Sequence, residues 1–247
     1  MRKLTYAPLF LLIGTLTLSL APRKDSLLAG YAAAQQDPRV ERANKAKGAF
    51  PIAEINEPEP DTNSELGRAK KEKRQRYDAW NLVTSNPAPG TEETIVSSEG
   101  YFDFPPLPVT RSDIILIASV SNSEAHLSAN KRGVFSEFNL VVESVLKTSD
   151  QKINEGSLFT VDRVGGYVKY PNGQQILCRI SGVNMPQTGA RYLFFLSARR
   201  KPIFTILTAY ELTNEGVMPL DSPEQFRPLE GISETDLLKR VRDLLTK

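Results

Sequence analysis

Residues 113–146 constrain the fold more than any other stretch of this chain. They read DIILIASVSNSE, a polar loop AHLSANKRG, then VFSEFNLVVESVL. Two long runs rich in β-branched residues, joined by a short loop containing glycine, are the grammar of a β-hairpin. In the second run Val134, Phe138, Leu140, Val142 and Leu146 share one parity with Ser136 and Ser144, while Glu137, Asn139 and Glu143 take the other. Side chains alternate across a strand, so this run has one buried and one wet face. In the first run Ile114 to Ile117 are apolar on both parities, so that strand starts out buried on both sides.

The same grammar repeats downstream. Ser157 to Val164 reads as a strand, and Gly165-Gly166 permits a bend or bulge. Tyr167 to Tyr170 and Gln174 to Ile180 flank Asn172-Gly173, a strong hairpin turn signal. Ala190 to Leu196 is a continuous apolar run suited to a central strand. Ile203 to Leu212 is another strand, turned by Asn214-Glu215-Gly216 into Val217-Met218. The C-terminus changes period: Ser233 can cap a helix, with Leu237, Leu238, Val241, Leu244 and Leu245 on one stripe.

Upstream the chain looks different. Arg2 and Lys3 precede an uncharged apolar run from Leu4 to Ala21, and Ala32-x-Ala34 offers a cleavage site. This pattern fits a secretory signal, or an anchor if it stays uncut. Residues 35–65 carry Glu54, Glu57, Glu59, Asp61 and Glu65 among Pro51, Pro58 and Pro60, which reads as a disordered linker. Arg68 to Arg76 is a charged helix leading to an apolar anchor at Tyr77, Trp80, Leu82 and Val83. Its basic charge is offset by the acidic block before it, so it reads as a solvated helix. Residues 84–112, with Pro105-Pro106-Leu107-Pro108, form an extended, stiff lead-in.

The segments DIILIASVSNSE, FNLVVESVLK, a Gly-Gly bend after FTVDRV, and TGARYLFFL follow one another as in many secreted bacterial proteins of unassigned function. They resemble the OB-like barrels of the netrin C-terminal module and the tissue inhibitors of metalloproteinases. Leu146-Lys147 and Gly189-x-Arg191-Tyr192-Leu193 carry the resemblance best, and it covers Arg111 to Asp221. It implies an antiparallel OB-like β-barrel of five to six strands. Inhibition of metalloproteinases is not implied, because those inhibitors reach the metal through an N-terminal cysteine and the single cysteine here is Cys178, inside a strand.

The expected organisation is therefore 1–34 signal peptide or membrane anchor, 35–110 largely disordered linker with a charged helix near 65–83, 111–222 OB-like barrel, and 223–247 a docked C-terminal helix. One cysteine excludes an intramolecular disulfide, and one histidine, His126, excludes the usual Cys/His zinc sets. Without residues 1–34 the acidic and basic residues are in near balance, so no global field favours nucleic acid. His126 reads as an exposed loop histidine near Ser123, Glu124 and Ser128, and Cys178 as a small buried hydrophobe. Gly165-Gly166 lacks the lysine of a phosphate loop. Asp103, Asp113, Asp150 and Glu155 lack calcium-loop spacing. Lys131-Arg132 and Arg199-Arg200-Lys201 read as solubilising turns.

No catalytic, cofactor-binding or metal-binding residue is assigned, and no cofactor is expected. The expectation is a monomeric, extracytoplasmic (periplasmic or secreted), non-catalytic binding module with a protein or envelope partner. Membrane contact would come only through residues 4–21 if uncleaved. An inhibitor of a secreted protease and a hydrolase with an unrecognised site are the alternatives.

Overall fold

The computed structural model describes residues 50–148, 153–200 and 203–247. The expected signal segment 1–34, the start of the linker at 35–49, Asp150 and Lys201 lie outside the described residues. All described residues belong to one compact unit, 43–247. The structure is mainly β, with a helix at its C-terminus.

The hairpin is β3 (Ile114–Leu127) and β4 (Val134–Lys147), antiparallel, with Phe138 opposite Ser123 and Leu140 opposite Val120. Antiparallel pairs continue from β4 to β5 (Leu158–Val164), from β3 to β8 (Arg191–Arg200), and from β8 to β9 (Ile203–Thr213). A parallel pairing of β5 with β9, Val161 opposite Phe204, joins the two ends. Each of these five strands therefore has a neighbour on both sides, in the circuit β3–β4–β5–β9–β8–β3. The short strand β10 (Gly216–Pro219) pairs antiparallel with β9.

Burial explains why the start of β3 is apolar on both parities. Ile114, Leu116, Ala118 and Val120 join Phe138, Leu140, Val142, Phe194 and Leu196 in one core cluster. Ile115 and Ile117 point the other way, into a second cluster with Leu193, Phe195, Tyr210, Phe226, Leu237 and Val241. The C-terminal helix α2 (Glu234–Leu245) supplies Leu237 and Val241 to that outer cluster. Ser233 caps it, its Oγ accepting from the Asp236 N–H at 3.1 Å.

A second sheet was not expected. The hairpin of β6 (Gly166–Lys169) and β7 (Gln175–Ile180) is flanked by β1 (Ile52–Glu54), parallel to β6, and β2 (Glu93–Val96), parallel to β7. Both outer strands come from the region read as linker. That reading is corrected for residues 50–110. Phe50 and Ala53 are buried, and the lead-in is tied down by Tyr210 Oη donating to Pro106 O at 2.6 Å and Lys147 Nζ donating to Val109 O at 2.8 Å. Strands of three or four residues in an acidic, proline-rich setting gain order from their partner sheet rather than from their own composition.

Gly165 is the joint between the two sheets. Its φ of 111° lies where only glycine is at ease, and a Cβ there would stand 2.9 Å from Met185 Cε and 3.1 Å from Cys178 O. Its carbonyl accepts from Ser136 Oγ at 2.7 Å.

Candidate functional site

The charged helix α1 (Glu65–Gln75) crosses the outer face of β3, β4 and β5 and leaves a cleft of about 420 Å³ beneath it. The helix side presents Ala69, Lys70 and Lys73; the strand side presents His126, Phe135, Glu137 and Thr160. A more open hollow of about 620 Å³ lies beside it, between residues 51–58 and Ser123–His126, so that Glu57 and His126 border both.

His126 is not in a loop. β3 runs on to Leu127, and His126 sits opposite Phe135 in the ladder, with its side chain only 24% exposed. The alternation Asn122, Glu124, His126 against Ala125 and Leu127 was the available signal, masked by the polar composition of the stretch. The turn itself starts at Ser128, whose Oγ accepts from the Gly133 N–H at 2.8 Å.

Glu57, read as part of a linker, is the partner of that histidine. Its Oε1 is 2.9 Å from His126 Nδ1 and its Oε2 accepts from the Leu127 N–H at 3.1 Å. Arg74 of α1 pairs with the same carboxylate. Burial opposes ionisation of Glu57, but the bonds from His126 and Leu127 and the charge of Arg74 outweigh it and hold the group below its ordinary value. With Nδ1–H donating to Glu57, Nε2 faces Glu124 Oε2 at 3.8 Å and Glu137 Oε1 at 3.9 Å.

Asp162 on β5 lies buried next to the cleft, under Lys73 and Tyr77. Lys73 Nζ lies 2.8 Å from its Oδ1 and 3.0 Å from Glu137 Oε1, and Tyr77 Oη donates to its Oδ2 at 3.1 Å. Burial outweighs Lys73 and pushes Asp162 up to about 6, with Glu137 adding to the rise and Tyr77 opposing it. Tyr77 also stacks on Phe135, ring centroids 4.0 Å apart and planes 8° apart. Phe135 is therefore buried although its parity is that of the wet residues. The basic run is thus only partly a solvated helix: Lys73 and Arg74 find their counter-charges on the strands and on Glu57.

Next to Asp162 and facing the other way, Arg163 is fully buried against Asp221. Its Nη2 lies 2.6 and 2.8 Å from the two carboxylate oxygens, and Thr208 Oγ1 donates to Asp221 Oδ2 at 2.8 Å. Neither residue drew notice in the sequence, where FTVDRV reads simply as a strand.

The remaining candidates scatter. Cys178 is buried on β7, and burial pushes its thiol up to about 12, so it is not a poised nucleophile. Thiol reagent at about pH 8 should label the native protein far more slowly than the urea-unfolded chain; equal rates would contradict the packing of β7. Arg132 Nε donates to Asn81 at 3.1 Å, and its carbonyl accepts from Leu82 and Val83. Asp103 pairs with Arg111 at 3.2 Å, and Asp113 accepts from the Ala198 N–H at 2.6 Å. The side chains of Arg199 and Arg200 lie outside the described ones. Among the described residues no group of three or more His, Cys, Asp or Glu could hold a metal ion, and no helix is long and apolar enough to cross a membrane.

No family model matches the chain, and neither does any curated protein.

Proposed function

We propose that the protein is an exported, non-catalytic binding module built on an OB-like barrel, and that its ligand enters the cleft between α1 and the strand face. The barrel reading is supported by the closed circuit of pairings with β5 parallel to β9. Export is supported by the charged start, apolar run and small-residue site at the N-terminus. A fold of this kind does not carry a function by itself.

The observation that carries the reading is the cleft. Its volume falls in the range of ligand sites, about 300–1,000 Å³. It lies over β3, β4 and β5, the first three strands of the circuit, and so overlaps the face of the second and third strands, where OB-type barrels take extended ligands. Its charged groups hold one another: Glu57 holds His126 and Arg74, and Lys73 holds Asp162 and Glu137. Such a preorganised polar lining with an aromatic floor suits recognition. The expected partner is a protein or an envelope component.

The test is retention of components from a solubilised envelope extract by the immobilised full chain and by Thr160→Trp. Thr160 is exposed on β5 and lines the cleft, so tryptophan should fill it without disturbing the core. The reading expects a component held by the wild type and lost by the variant at equal urea midpoint. Equal retention by both would move the binding surface elsewhere.

One observation favours a hydrolase as the second reading: Glu57 fixes the imidazole with Nε2 facing the cleft. Hydrolysis of ester or glycoside probes, abolished by His126→Ala, would decide for it.

A further inference from the structure

We propose that the hollow between β1 and β3 is a docking slot for an extended basic segment of a protein partner, which adds a strand to the free edge of β3. This goes beyond the cleft reading and needs no ligand beneath α1.

The two halves of β3 are covered unequally. On the side away from β4 it pairs with β8 only from Ile114 to Ser119. That contact ends where the Val120 N–H donates to Ala190 O at 3.0 Å and Val120 O accepts from the Gly189 N–H at 2.8 Å. β3 then runs on to Leu127, paired without a break to β4 from Asn122 onward. Just past it, the Ser128 N–H donates across the hairpin to Gly133 O. Backbone groups of successive residues point to opposite edges of a strand, so His126 and Glu124 serve β4, while Leu127, Ala125 and Ser123 point away from it. Leu127 bears this out, since its N–H reaches the Glu57 carboxylate at 3.1 Å. Among the described residues the backbones of Ala125 and Ser123 find no partner on that edge.

The facing wall is also an open edge. Pro51 O accepts from the Tyr167 N–H at 2.8 Å, and the Ile55 N–H donates to Lys169 O at 2.9 Å. By the same alternation, the backbone of Ile52, between them, points away from β6. Ile52, Ser123 and Ala125 all border the hollow, which measures about 620 Å³. An open strand edge is a template for another chain. Main-chain bonds then give affinity, and alternate side chains give specificity.

The walls specify the occupant. Ala53 and Ala125 turn inward to one core cluster, so a strand seated between them needs small side chains on its inner face. Ile52, Glu54 and Glu124 are exposed on the outer side. Three carboxylates border the hollow, Glu54, Glu57 and Glu124, with no lysine or arginine among the described residues lining it. Arg74 neutralises Glu57, and Lys169 lies 3.0 Å from Glu54. Glu124 has no lysine or arginine partner; its nearest base is His126 at 3.8 Å. The charge left over is negative. It complements lysine or arginine at alternate positions of the incoming strand, with alanine, serine or glycine between them.

The test titrates the isotope-labelled full chain with a synthetic heptapeptide of alternating lysine and alanine. Saturable amide shifts are expected at Ile52, Ser123 and Ala125. The same peptide N-methylated throughout, which keeps its charge but donates no backbone bond, should bind more than about tenfold more weakly. Ser123→Pro removes an N–H from the free edge while leaving the ladder to β4 intact, and should weaken binding about tenfold. Glu124→Lys, at an exposed site, should weaken it as well. Thr160→Trp, which fills the cleft, should leave it unchanged. Absence of binding overturns the proposal. So does equal binding of the methylated peptide, which would mean adhesion by charge alone and decides the matter even if Ser123→Pro fails to fold. Loss of binding in Thr160→Trp would place the peptide in the cleft and overturn the slot. Slow hydrogen exchange at Ser123 and Ala125 in the peptide-free protein would mean that the chain itself or a second copy already covers the edge, and overturns it too.

Discussion

Asp221→Ala is expected to destabilise the protein by about 3–5 kcal/mol, the range for removing one partner of a buried ion pair. Both side chains of the Arg163–Asp221 pair are fully buried. Among the described residues Arg163 Nε and Nη1 find no hydrogen-bond partner, so its charge leans on Asp221. Burial opposes the charged form of Arg163, but Asp221, with Tyr101, raises it above its ordinary value. Losing Asp221 would also strip the acceptor from Thr208 and from the Asn184 N–H. A protein with a typical total of about 5–15 kcal/mol would be left marginal. Urea denaturation measures this directly. Arg163→Met combined with Asp221→Leu should recover much of the loss, because replacing both partners by apolar groups removes the stranded charge. A cost for Asp221→Ala within about 0.5 kcal/mol, the scale of surface changes, would mean that water reaches the pair.

Phe138→Ala should cost roughly 3–5 kcal/mol, as for other buried aromatics. Phe138 is 0% exposed in the cluster it shares with Leu140, Val142 and Phe194. Its neighbour Glu137 points the other way and bridges to Lys73 at 3.0 Å with a side chain 26% exposed. Parity alone makes Glu137→Ala nearly neutral; the bridge to α1 raises its expected cost to at most about 1 kcal/mol. The large gap between these adjacent residues is what the register of β4 demands. Equal costs, or the reverse order, would mean the strand faces are assigned the wrong way round.

These two expectations differ in how far the sequence announced them. Phe138 was legible, because period-two alternation holds along β4 from Val134 to Val142. Beyond it the expected face is lost, since Ser144 is exposed, Val145 packs on the Phe138 cluster and Leu146 on the outer one, where the pairing with β3 shifts register. The hairpins, the Gly165 bend and the stripe of α2, apart from the exposed Leu244, were legible for the same reason: each is encoded by neighbours within a few residues. Arg163–Asp221 was not, since its partners are 58 residues apart and each looks ordinary where it stands. β1 and β2 were hidden in the same way, as short edge strands whose order comes from β6 and β7. The candidate site suffered most. Glu57 was lost in acidic, proline-rich composition, His126 in a polar stretch taken for a turn, and Lys73 in a run of charges. Only the tertiary fold brings Glu57 within 2.9 Å of His126 and Lys73 within 2.8 Å of Asp162.

The claim that the cleft beneath α1 is the working surface can be tested most directly by amide chemical-shift mapping. Spectra of the full chain would be recorded with and without the envelope component it retains. The account predicts shifts at Glu124, His126, Phe135, Glu137 and Thr160, and along α1 around Lys70 and Lys73. Shifts confined to the exposed pair Val141 and Leu158, or to the outer edges of β1 and β2, with the cleft unmoved, would contradict it.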